Sequence, residues 1–330
     1  MFYLVRSHLL LHKSPRSYLL TMSGITTLCK PHQKRNLSFD GIFPALPTPF
    51  NKDENIDFNA LKKNLACWEK IPFKGYVVGG SYSEAPSVDP GERLAIVKET
   101  RKVISDSKIL IGGSSCLSTK ATCELSKAMG EAGADAVMVL LPFYYRTRLN
   151  EEAIIDHFTT VANASPIPLV IYNNPLTTGV DIPISAYIKL AAHPNIVAVK
   201  DGDVSKLSGT KLATQEHNFA VLSNGAGYLV SAMVAGAVGS INSLGAILGE
   251  TVCEVHQLVS SGQYEKAIQL QMKLVEPDLM LRMTGHSVPG MKAAMDILGY
   301  YGGPVRKPLQ PLNNIDREKI KECLKKSGFI

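Results

Sequence analysis

Acidic residues are missing from the first 38 positions of this chain, and that absence accounts for its whole charge excess. The 330 residues carry 35 Lys and Arg against 29 Asp and Glu, a formal net charge of +6. Arg6, Lys13, Arg16, Lys30, Lys34 and Arg35 all lie within residues 1–38, so the remainder is formally neutral. A neutral body has no basic stripe to follow a phosphate backbone, which argues against nucleic acid as a partner. Long apolar runs are lacking as well. No Asp, Glu, Lys or Arg lies between Glu216 and Glu250, but Asn224, Asn242, four serines and six glycines interrupt that stretch. It is too broken for a membrane span and reads as two buried strands around a small-residue helix. The six cysteines form no C-x-x-C pair, and the chain has no H-E-x-x-H, no G-x-x-x-x-G-K-[ST] and no G-x-S-x-G. Neither a metal site nor an organic cofactor is expected. The tail itself mixes Arg and Lys with Ser and Leu, the composition of a mitochondrial transit peptide, and implies a matrix location.

What is present is a repeating pattern. Short β-branched runs recur at Gly41–Leu46, Gly75–Gly79, Lys108–Gly112, Asp135–Leu141, Leu169–Tyr172, Ile196–Lys200, Phe219–Leu222 and Val238–Ile241. Amphipathic stretches such as Phe58–Lys70, Gly91–Ser105, Thr119–Ala132, Glu151–Ala164 and Ile184–Ala192 lie between them. Several runs are continuously apolar, which marks strands buried on both faces. Eight strand-then-helix units predict an α/β fold, a (β/α)₈ TIM barrel over 39–245, with a C-terminal helical extension over 246–330. A doubly wound sheet would carry a Gly-rich phosphate turn after its first strand, where this chain has Pro44-Ala45-Leu46-Pro47-Thr48-Pro49.

In such a barrel the chemistry sits at the carboxyl ends of the strands. That rule selects Lys200, which ends Ile196-Val197-Ala198-Val199, and Tyr172, which ends the neighbouring strand. An ammonium in a low-dielectric pocket loses its proton more easily. Moving it from about 10.4 toward 7 takes roughly 4–5 kcal/mol of differential solvation. The neutral amine attacks a ketone to form a Schiff base, and a tyrosine beside it transfers the proton that carbon–carbon cleavage requires. The alternative is a lysine held in a salt bridge with Asp201 or Glu84. Ser81 and Tyr82, flanked by Gly79 and Gly80, can present N–H groups to a carboxylate. A phosphate-handling barrel would instead rely on Asn224-Gly225-Ala226-Gly227 after strand seven.

The Ser81–Glu84 loop, the Tyr144-Tyr145 pair, Tyr172-Asn173-x-Pro-x-x-Thr178-Gly179 and Lys200 resemble the dihydrodipicolinate synthase/N-acetylneuraminate lyase family, from about Asp40 to the C-terminus. Members are class I, Schiff-base pyruvate aldolases. Within the family, His193-Pro194-Asn195-Ile196-Val197 and Gly299-Tyr300-Tyr301-Gly302-Gly303-Pro304 resemble the mitochondrial branch that cleaves 4-hydroxy-2-oxoglutarate to pyruvate and glyoxylate. The resemblance implies that Lys200 forms the imine, Tyr172 shuttles the proton, Tyr144 is a second proton-relaying tyrosine, and Ser81 contacts the carboxylate of a 2-oxo acid. It also implies a homotetramer, with Tyr145 close to a subunit contact. Alternatives are a dihydrodipicolinate synthase-like or other 2-oxo acid aldolase, and a barrel that binds a 2-oxo acid without turnover. Three positions depart from the family. Tyr82 stands where Thr or Asn is usual. The segment after Lys200 is about two residues shorter, so that Gly202 replaces a Ser near the substrate. Thr177 stands where the lysine-biosynthetic synthases keep an Arg, which argues against their reaction. Tyr82 is expected to fill one wall of the substrate pocket and the short loop at Gly202 to open the other.

Overall fold

The computed structural model describes residues 37–283 and 287–330. The expected transit peptide lies outside the described residues, apart from its last two positions. Eight parallel strands follow in chain order: β1 (Gly41–Pro44), β2 (Gly75–Val78), β3 (Ile109–Gly113), β4 (Ala136–Leu140), β5 (Leu169–Tyr172), β6 (Ile196–Asp201), β7 (Ala220–Ser223) and β8 (Gly239–Asn242). From β2 to β8 each pairs with the next in sequence, and β8 pairs with β1. A bridge between Ala45 and Val77, with Lys74 N donating to Ile42 O at 2.9 Å, joins β1 to β2 and completes the ring. This is the TIM barrel anticipated from the repeating units.

Continuous apolarity along each strand reflects burial on two sides. Val170, Ala198, Leu222, Ile111 and Phe43 point inward and fill the barrel. Their alternates Leu169, Ile171, Val199 and Val221 point outward into the layer beneath the helices. That layer is supplied by α1 (Phe58–Trp68), α2 (Pro90–Arg101), α3 (Thr119–Glu131), α4 (Glu151–Ala164), the single turn α5 (Pro175–Thr178), α6 (Ile184–Ala191), α7 (Val204–Ala213), α8 (Leu229–Val234) and α9 (Gly245–Ser260). Their starts are written locally. Asp89 caps α2, with Pro90 following and Glu92 returning a bond to the Asp89 N–H. Asn150 caps α4, accepting from Ala153 N at 2.9 Å, and Glu151 and Glu152 occupy the first turn.

One boundary moves. Helix α9 packs on β1 and completes the eighth unit of the barrel, so the barrel extends past 245. The helical extension proper is α10 (Tyr264–Met283), α11 (Ser287–Ile297) and α12 (Asn314–Lys326). No described helix is long and apolar enough to cross a membrane.

Candidate active site

Strand register brings the first two residues together. In the β5–β6 pair Tyr172 lies opposite Lys200, and both continue the inward rows begun by Val170 and Ala198. Lys200 is 6% exposed, and its Nζ sits 4.0 Å from the centroid of the Tyr172 ring. The two carboxylates named as its alternative partners, Glu84 and Asp201, are engaged elsewhere. Glu84 is paired with Lys292 at 2.6 Å. Asp201 accepts from the Tyr187 hydroxyl at 2.8 Å and from Asn173 Nδ2 at 2.9 Å, with Lys206 at 3.5 Å. Burial is the main cause that lowers the Lys200 pKa; its contact with Tyr172 pulls upward, and the nearby Arg282 charge lowers it further. The result is a lysine disposed to shed its proton and act as a nucleophile. Asn174 Nδ2 donates to the Tyr172 hydroxyl at 3.0 Å and to Thr177 Oγ1 at 2.8 Å. The phenol oxygen therefore accepts from the amide, and its own proton is left to donate toward a reactant.

Beside this pair a cavity of about 680 Å³ opens, with Gly80, Ser81, Met138, Tyr172 and Thr177 among its walls. Ser81 is held there by its own turn. Ser83 Oγ donates to Leu46 O at 2.5 Å, and Thr48 Oγ1 donates to Ser83 O at 2.7 Å, tying the turn to the end of β1. Lys200, Tyr172 and Ser81 thus occupy one end of the barrel. Tyr144 does not join them. It is 72% exposed, stands edge-on to Tyr145 with ring centroids 5.0 Å apart, and is absent from the cavity wall.

Tyr82 and Gly202 are not among the residues that line that cavity. The Tyr82 hydroxyl does not face open pocket; it donates to Leu281 O on α10 at 3.3 Å, and burial raises its pKa. The short loop after Lys200 does not open a wall either. A Cβ at Gly202 would stand 2.5 Å from Asn224 Nδ2, so the Asn224 amide fills the space that a Ser side chain would take. Asn224 is in turn held by the Tyr228 hydroxyl, which donates to its Oδ1 at 2.5 Å. Arg282 lies next to Tyr228, 5.2 Å from its ring centroid, and pairs with Asp278 at 3.1 Å.

Residues 38–327 match the Dihydrodipicolinate synthetase family. The chain belongs to that family. It is 32% identical over 290 residues to the 4-hydroxy-tetrahydrodipicolinate synthase of Haloarcula marismortui, covering 87% of this chain and 94% of the relative. Among solved structures, the dihydrodipicolinate synthase of Bacillus anthracis superposes with a TM-score of 0.83 at 30% identity, covering 88% of this chain and 98% of that one. The chloride-inhibited enzyme of Acinetobacter baumannii, complexed with pyruvate, has a TM-score of 0.83 at 28% identity, covering 89% and 100%. The chain is therefore a class I, pyruvate-dependent enzyme of this lyase and synthase family. Members act on small molecules and are generally oligomeric.

Sequence reasoning missed Asn174, Thr48, Asp278 and Arg282. Asn174 follows directly on the Tyr172-Asn173 pair, yet only the turn of α5 brings its amide back to the phenol. Asp278 and Arg282 have the (i, i+4) spacing of a helical ion pair, a signal that gives no direction in space.

Proposed function

We propose that this protein is a class I aldolase that cleaves 4-hydroxy-2-oxoglutarate to pyruvate and glyoxylate. The observation that carries the reading is the Lys200 ammonium, buried on the Tyr172 ring at the carboxyl end of the barrel with no carboxylate partner among the described residues. Neutral Nζ adds to C2 of the substrate; Tyr172 gives its phenolic proton to the departing hydroxyl, and loss of water leaves a protonated imine beside the phenolate. Tyr172 takes the proton of the C4 hydroxyl as the C3–C4 bond breaks, its electron pair passing to the iminium. Glyoxylate leaves; the enamine that remains is protonated at C3, and water hydrolyses it to pyruvate and free Lys200. Ser81 holds the carboxylate next to C2 from the cavity wall.

A second reading is favoured by the names of the relatives, 4-hydroxy-tetrahydrodipicolinate synthases. It would use the same lysine and tyrosine on pyruvate. Thr177, in place of an arginine on the α5 turn, speaks for the aldolase instead. The two separate in one assay series. Release of pyruvate from 4-hydroxy-2-oxoglutarate, without formation of 4-hydroxy-tetrahydrodipicolinate, is the outcome expected. The reverse pattern would replace the aldolase reading by the synthase one. The same proposal places the protein in the mitochondrial matrix, directed by residues 1–38, as a homotetramer.

A further inference from the structure

A 4-hydroxy-2-oxo diacid brings a second carboxylate, attached to the carbon that leaves as the aldehyde. With C2 on Lys200 and the C4 hydroxyl toward Tyr172, this group lies beyond C4 at the barrel mouth. Taking an anion out of water there calls for a charged, hydrogen-bonding partner. Most cations near the mouth are committed elsewhere. Lys206 is engaged by Asp181 and Asp201, Lys292 by Glu84, and Arg306 by Glu92. Arg93 donates to the carbonyls of Val88 and Ser115. Thr177 offers no charge.

Arg282 is different. It comes from α10, outside the strand ends, and its guanidinium lies against the loop after β7. A Cβ at Gly225 would stand 2.1 Å from Nη1, so a glycine is what lets it lie there. Asp278, only 3% exposed, holds Nη1 at 3.1 Å and also accepts from the backbone N–H groups of Ala226 and Gly227. The helix is also tied to the turn after β2 by the bond from the Tyr82 hydroxyl to Leu281 O. The Arg282 side chain keeps 23% of its surface exposed, and its charge is felt at both Lys200 and Tyr82. A guanidinium has five N–H donors, more than Asp278 and Tyr228 engage.

We infer that Arg282, oriented by Asp278, binds the distal carboxylate of the substrate and makes this enzyme selective for 4-hydroxy-2-oxo diacids. The inference rests on the aldolase reading of the same site. It assigns to the helical extension the task that an arginine at position 177 would otherwise perform.

The test compares kcat/KM on 4-hydroxy-2-oxoglutarate with that on 4-hydroxy-2-oxopentanoate, which has a methyl group in place of the distal carboxylate. Wild type, R282K, R282Q and R146Q are measured, since Arg146 lies across Gly179 on the neighbouring loop. Wild type should prefer the diacid. R282Q should lose about 10- to 100-fold on the diacid, mainly through KM, and less than about threefold on the monoacid. R282K, which keeps charge but not the planar fork, should fall between. Equal losses on both substrates would mean that Arg282 only neutralises Asp278, and would overturn the inference. So would a diacid-specific loss in R146Q rather than in R282Q, or a wild-type preference for the monoacid. Should R282Q not fold, the wild-type ratio and R282K decide. A wild type that cleaves neither acid overturns the aldolase reading and this inference together, whereas cleavage without diacid preference overturns the inference alone.

Discussion

At Lys200 the protein accepts an instability in exchange for a nucleophile. Burial makes its charged form costly, so its folded pKa lies below the 10.5 of an ordinary lysine. The sign follows from linkage. Between the folded value and 10.5 the unfolded chain binds more protons than the native one, so Lys200 costs stability at low pH and that cost fades as pH rises through this window. Borohydride trapping with pyruvate should add one pyruvate-derived mass to a peptide containing Lys200, with a pH profile whose inflection falls below the ordinary lysine range. Lys200→Arg should abolish the adduct. An unmodified wild type at saturating pyruvate would end the Schiff-base reading. Tyr172 is tested apart from its ring. Tyr172→Phe keeps the surface on which Lys200 rests but removes the transferable proton, and cleavage should drop about 10²- to 10⁴-fold. Near-native turnover in this variant would reduce Tyr172 to packing.

Among the elements, the turn after β2 depends on a part of the chain far away in sequence. Glu84 stands in the left-handed region at φ 58° and is buried against Lys292 of α11, itself 1% exposed. Phe50 lies beneath, with Lys292 Nζ 4.4 Å and the Arg306 guanidinium 4.3 Å from its ring centroid. The helical extension thereby clamps the turn that presents Ser81. Removing one member of a buried ion pair leaves the other uncompensated, so Lys292→Met should cost about 3–5 kcal/mol in denaturant unfolding. The surviving folded enzyme should show a raised KM, because Ser81 loses its support. A variant with native stability would show that the pair does not hold the turn.

Across the whole molecule, apolar side chains collect on the loops after β3, β4 and β5. Leu117, Phe143, Tyr144, Tyr145 and Leu176 are all exposed there, Leu176 to 84%. Such exposure fits the homotetramer proposed above, with a second copy of the chain as the partner. Wild type should sediment as a tetramer, and Tyr145→Arg with Leu176→Arg should shift it to smaller species. Because Tyr144 stands outside its own cavity, any part it plays in proton transfer depends on that association, and activity should fall as the assembly dissociates. A fully active monomer would contradict both points. Deleting residues 1–38 should leave a folded, active enzyme, while a reporter fused to the full chain should lose its mitochondrial position on deletion. Cytosolic full-length protein in fractionation would count against the transit reading.

The eight strands, their order and the inward aim of Lys200 and Tyr172 were legible in the sequence. Apolar runs spaced by amphipathic helices leave one closed parallel arrangement, and a period of two then assigns each strand residue to a face. The family relation was legible for the same reason, since its signature residues sit at strand ends. Contacts between elements distant in the chain were not. Nothing local tells that Glu84 meets Lys292, that Asn224 fills the gap beside Gly202, or that Tyr82 points at α10. The eighth barrel helix was counted with the extension because further helices follow it in the chain, and only its packing on β1 ties it to the barrel. Arg282 shows the limit most directly. Helical spacing pairs it with Asp278, but only the packing of α10 across the barrel mouth brings its charge to the site. Side-chain direction on a helix is set by what the helix packs against, and that is a property of the folded chain.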